Sequence, residues 1–201
     1  MTQIKIGHLL RAGTTGFIAG CRVNQLEAPV LGALVRAPLG ENYQVYGLIY
    51  DIHIDDDGIV RQLVTAENVD AAIIADNRVN RNVPVEISVL TVGYQQNGQI
   101  KHLLPPRPPL SLDLIYQVSS EELRNFTEAG RYGYFRHVLR APDVPVSELL
   151  AAHIEQANQA HLQAGNLIWA EQAAQELITL LRDDYATLMA VLGALGDAIA
   201  D

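Results

Sequence analysis

The apolar residues of this chain change their period once, between Arg140 and Val146, and that change limits what each part can become. Ahead of it they fall in short β-rich runs cut by glycine, proline and asparagine, the spacing of strands in a sandwich or barrel. Beyond it they recur every three to four residues, which is the spacing of a helix face. The two patterns predict an α+β chain. Residues 1–140 are expected to form a small antiparallel β-barrel ending in a short helix, and residues 141–201 an all-α segment of two or three helices. With 49% hydrophobic residues in 201, the chain can bury a core of that size.

In the first part, strands are expected at Gly16–Val23, Leu31–Pro38 and Tyr43–Ile54, the last closed by the turn sequence Asp55-Asp56-Asp57-Gly58. Ile59–Val64 is then expected to return as a partner strand, and 66–81 to hold a short helix. Strand character resumes at Pro84–Tyr94, with Gln96-Asn97-Gly98 as a hairpin turn before Gln99–Leu104. The prolines of Leu103–Leu110 enforce an extended path. Asp113–Val118 is the last expected strand, followed by a helix with Ser119 and Glu122 as a capping box and Gly130 as its stop.

In the second part, Leu150, Ile154, Ala157 and His161 share a stripe, and Gly165-Asn166 reads as a stop and a new start. Leu167, Glu171, Ala174, Ile178 and Leu181 continue at helical spacing, and Leu188, Leu192, Leu195 and Ile199 form a further stripe. Neither proline nor glycine interrupts 166–192, so the pattern leaves open whether Asp183-Asp184 begins a separate helix.

Composition excludes several functional classes. One cysteine, Cys21, rules out an internal disulfide framework and a cysteine-built zinc site, and it is expected to be a small buried residue. A net charge of −9 argues against nucleic acid as the main partner. No apolar run reaches the roughly 20 residues of a membrane span, and Met1–Leu10 lacks a signal-peptide core, so a cytoplasmic protein is expected.

No motif names a catalytic group. In the acidic turn, an EF-hand register with Gly58 at position six puts His53 first and Val64 last, where carboxylates are required. Gly13–Gly20 is glycine-rich but lacks the lysine and hydroxyl of a phosphate loop, and reads as a hairpin. His153 and His161 lie two helical turns apart, too far for one metal, and read as partly buried or solvated. Neither a serine nor the cysteine has a nucleophile's local context. Neither cofactor nor metal is therefore expected. Pro106-Arg107-Pro108-Pro109 fits a proline-ligand pattern but reads better as a rigid loop closing a barrel. Trp169, the lone tryptophan, suits a core position and an interface anchor equally.

Taken in order, these pieces resemble the HerA/ATP-synthase barrel (HAS barrel) family. The matching features are Gly7-His8-Leu9-Leu10, Phe17-Ile18, Val45-Tyr46-Gly47-Leu48-Ile49, Val89–Tyr94, Leu104–Pro109 and Leu112–Val118 before an acidic helix, covering roughly residues 4–140. In HerA-type motors, a stretch like Leu149-Leu150-Ala151-Ala152-His153 leads into the phosphate-binding loop. Here Ile154–Ala160 continues as helix, without glycine, lysine or hydroxyl, and the residues that follow are too few for a RecA-like core. The resemblance thus implies the barrel without ATP hydrolysis, and a role in contacting other proteins.

The resulting expectation is a non-catalytic interaction or assembly module whose partner is another protein or protein complex, with a homo-oligomer as a further possibility. Its candidate binding residues are Pro105, Arg107, Arg131, Arg136, Arg140 and Trp169. Two alternatives stand beside it. One is a regulatory subunit binding an anion or nucleotide through Arg107, Arg131, Arg136 and Arg140. The other, by analogy of fold alone, is an accessory to a DNA-processing ATPase.

Overall fold

The run Val45-Tyr46-Gly47-Leu48-Ile49 is apolar at successive positions, as a strand must be when both of its faces are covered. A computed structural model of the chain, describing residues 4–22, 29–55, 58–66, 68–79 and 84–199, shows how. Strands β1 (Lys5–Ala12), β2 (Gly16–Cys21), β3 (Leu34–Pro38), β4 (Tyr43–His53), β5 (Val85–Gln96) and β7 (Leu114–Gln117) close into an antiparallel barrel. Around the ring the order is β1, β2, β5, β4, β3, β7 and back to β1. A short β6 (Gln99–Lys101) pairs with the end of β5 through the expected Asn97-Gly98 turn, where both residues have positive φ.

Inside the barrel, Ile6, Leu9, Phe17, Val35, Val45, Ile49, Ile87, Val89 and Ile115 pack as one apolar cluster that includes Cys21. Gly47 is required there, because a Cβ would lie 2.4 Å from Val89 Cγ1 and 2.8 Å from the Leu90 carbonyl. The opposite face of the same strands, carrying Leu34, Tyr46, Leu48 and Val92, is buried under a layer of helices.

That layer comprises α3 (Ser120–Glu128), a 3-10 turn (Ala129–Tyr132), α4 (Phe135–Leu139), α5 (Val146–Gln163), α6 (Trp169–Leu180) and α7 (Tyr185–Ile199). The C-terminal helices therefore fold back on the barrel. Asp184 settles the open boundary: its carboxylate accepts from the Thr187 N–H and hydroxyl, capping α7 as a separate helix. Gly165, with φ +86°, ends α5 as expected.

Four sequence expectations are corrected. Ile59–Val64 is not a strand but α1 (Ile59–Thr65), and the far end of β4, Asp51–His53, pairs with β5 alone. α1 buries no residue, and α2 (Ala71–Val79) follows it in the expected position. The buried face of α6 is Trp169, Ala173 and Leu177, continued by Leu181, whereas Leu167, Glu171 and Ile178 are exposed. The capping box is half made. Ser119 Oγ accepts from the Glu122 N–H, but the Glu122 carboxylate turns to Tyr46 and Arg36 on the barrel. His153 and His161 are fully buried. The expected strand end at Val23, turn residues Asp56 and Asp57, and helix end at Arg81 lie outside the described residues.

Candidate functional site

The junction between barrel and helices is built from aromatic rings and neutral histidines. Burial pushes the His153 imidazole down to about 4, so it is uncharged at neutral pH. Its Nδ1–H donates to the Gly32 carbonyl (3.0 Å), which leaves Nε2 to accept from the Tyr134 hydroxyl (3.1 Å). Gly32 has φ +77°, and a Cβ there would sit 2.6 Å from the His153 backbone nitrogen, so only glycine lets the loop come this close to α5. The Leu-Leu-x-x-His stretch is thus a structural clasp in this fold: Leu149 and Leu150 are buried, and His153 ties α5 to the barrel.

His102 repeats the device from β6's side. Burial lowers it to about 4, and its Nε2–H donates to the Phe126 carbonyl at 3.0 Å. Its ring packs 4.7 Å from Phe126 and 5.0 Å from Tyr134. Arg136 and His137 both donate to the His102 carbonyl, holding α4 against the strand.

Farther out, α3, the 3-10 turn and α6 enclose an open cleft of about 450 Å³ lined by Thr127, Glu128, Arg131, Tyr132, Asn166, Trp169, Gln172 and Glu176. One wall is strained: Gly130, Arg131 and Tyr132 have φ of 59°, 48° and 57°, a left-handed run that costs non-glycine residues roughly 1–2 kcal/mol each. The opposite wall holds Trp169, 2% exposed and stacked on His161 with centroids 4.5 Å apart. His161 Nε2 bonds to Thr127 Oγ1 at 2.8 Å, while its Nδ1 lies 3.6 Å from a Glu128 carboxylate oxygen. Trp169 Nε1 and His161 Nδ1 are buried without a hydrogen-bond partner.

The residues singled out from sequence are thus distributed over the molecule. Trp169 and Arg131 share this cleft, with Trp169 packed into the core as well. Arg107 lies elsewhere, over the Tyr43 ring at 5.2 Å, where the proline run caps one barrel end beside a cavity of about 380 Å³. Pro105 is buried in that run. Arg136 is spent on the His102 carbonyl, and Arg140 is exposed near His137. The four arginines do not converge on one anion pocket.

In the sequence, Gly193 and Gly196 read as allowing close helix approach, and the structure shows the face on which they lie. Of α7, Val191 and Leu195 are buried, but Tyr185 is 72% and Met189 51% exposed, in line with exposed Ala186, Ala190, Gly193 and Gly196. Apart from the helix's own backbone, a Cβ added at Gly193 or Gly196 would have nothing within 4 Å. Both are mid-helix glycines, each costing about 1 kcal/mol against alanine, and packing inside this chain does not call for either.

Among the described residues there is no helix long and apolar enough to cross a membrane, and no cluster of histidine, cysteine and carboxylate side chains placed to hold a metal ion. Compared with known proteins, the chain matches no family model and no curated sequence.

Proposed function

We propose that this protein is a non-catalytic docking module of the cytosol, a HAS-type barrel carrying a helical layer whose α7 face receives an amphipathic helix of another protein. The observation that carries the reading is the pairing of exposed Tyr185 and Met189 with Gly193 and Gly196, glycines that leave room for a backbone from outside. Helix-in-groove binding uses such anchors at three- and four-residue spacing.

Charge selects the occupant. Between Val146 and Ile199 stand Glu148, Glu155, Glu171, Glu176, Asp183, Asp184 and Asp197, against Arg182 alone. A second copy would bring like charge to like charge, whereas a helix with a lysine- and arginine-rich rim would be attracted.

The test compares the full chain with Met189→Glu in capture from extracts of the native cell, alongside size measurement of each purified protein by light scattering. The proposal expects a monomer. It expects one captured species that Met189→Glu loses and that salt releases, and whose binding segment is a basic amphipathic helix. A purified dimer abolished by Met189→Glu would instead assign the face to self-association. Capture unaffected by Met189→Glu would remove the face from the function.

A further inference from the structure

We infer that Met189 makes the α7 face sensitive to oxidation: its conversion to the sulfoxide by a hydroperoxide releases the docked helix. The inference rests on the docking reading of α7 and names how that face is regulated. Met189 is 51% exposed and stands one helical turn from Tyr185 and one from Gly193, so its thioether occupies the middle of the stripe.

Other sulfur is scarce in this chain, which has two methionines and one cysteine. Cys21 is buried in the barrel interior, and burial pushes its thiol up, away from the reactive thiolate. Met1 lies outside the described residues, and among those described Met189 carries the one exposed sulfur. In the reaction a sulfur lone pair attacks one oxygen of the hydroperoxide, an S–O bond forms and the O–O bond breaks. The thioether gives up two electrons, and the peroxide is reduced to water or an alcohol, which takes the proton of the transferred oxygen.

The product changes what the face can accept. A thioether is apolar and adaptable, suited to packing against a helix. The sulfoxide is polar, and on the free face water satisfies its oxygen. Under a docked helix that oxygen lies beside Gly193, which has no side chain to donate, while the N–H groups of both helix interiors are spent in their own ladders. An acceptor buried without a donor weakens the contact.

The experiment treats the full-length protein with hydrogen peroxide, locates the added oxygen by peptide mass mapping, and compares treated and untreated protein in capture from extracts of the native cell. The readout is the species whose retention Met189→Glu loses. The oxidised protein is expected to retain it about tenfold less or weaker still, with an unchanged melting temperature. Methionine sulfoxide reductases for both epimers, supplied with a dithiol, should restore retention. Met189→Leu, whatever its own starting strength, should show no dependence on peroxide. Equal retention by oxidised and untreated protein would overturn the switch and leave the docking reading standing. The absence of any species that Met189→Glu loses would end both. Met189 left unmodified under treatment that converts free methionine would overturn the switch, as would a fall in melting temperature that matches the lost retention.

Discussion

The barrel interior and the barrel–helix junction are two cores in one small protein, and they are held by different means. The interior is aliphatic, filled by inward side chains of strands whose hydrogen bonds are completed around the ring. The junction is aromatic and polar: Tyr46, Phe126, Tyr134, Phe135 and Trp169 pack there with His102, His153 and His161. An aliphatic core tolerates many arrangements of similar volume, whereas each histidine here demands a particular carbonyl or hydroxyl. The barrel interior holds the strands together, and the junction, whose buried cluster is no smaller, fixes where the helices sit.

Four measurements would break or sharpen that contrast. The largest effect is expected from Ile87→Ala in the barrel interior, which should cost about 2–5 kcal/mol in urea unfolding through lost contact and a residual cavity. If a matching truncation at the junction cost far more, the two cores would not be comparable in strength.

Acid should act next. The unfolded His153 titrates near 6.5, whereas the folded one resists protonation until about 4. The unfolded state therefore takes up the proton first, and the stability tied to a neutral His153 is complete above 6.5 and declines as pH falls toward 4. This amounts to roughly 3 kcal/mol for a fully buried imidazole. His102, also lowered to about 4, adds in the same direction. Urea midpoints measured from pH 7 to pH 4 should fall in the parent protein and fall less in His153→Asn.

A smaller loss, about 1–3 kcal/mol, is expected for Tyr134→Phe, which leaves His153 Nε2 buried without its donor. The barrel pairs should keep their amide-exchange protection in this variant while α5 loses some. The smallest change should be a gain. Gly193→Ala has open space for its methyl group and should raise stability by up to about 1 kcal/mol in thermal melts, while weakening any partner that approaches the helix backbone there.

Legibility in the sequence followed the reach of the interactions. The Asn97-Gly98 turn, the Ser119 cap and the Gly165 stop rest on contacts within a few residues, and β4 is marked by its own apolar run, so local patterns sufficed. Ile59–Val64 misled because its β-branched composition suits a strand as well as a helix, and the chain forms α1 there. Glu122 was assigned to its own cap because the competing Tyr46 and Arg36 are far away in sequence. In the candidate cleft, Arg131 and Trp169 were singled out, but Glu128, Tyr132, Gln172 and Glu176 carry no signal of their own at helix surfaces.

By itself, then, the order of residues determined an α+β chain: a run of strands, an extended proline segment, a capped helix from Ser119, and a helical segment after Pro145. Side-chain period and backbone stereochemistry act over one or two turns of chain, and those are written locally. Tertiary structure alone decided that β2 would meet β5 to close the ring, that His153 would find Gly32 across 121 residues, and that α7 would leave its tyrosine and methionine uncovered. Each of these depends on which surfaces are already occupied when distant segments meet, and occupancy is a property of the whole fold.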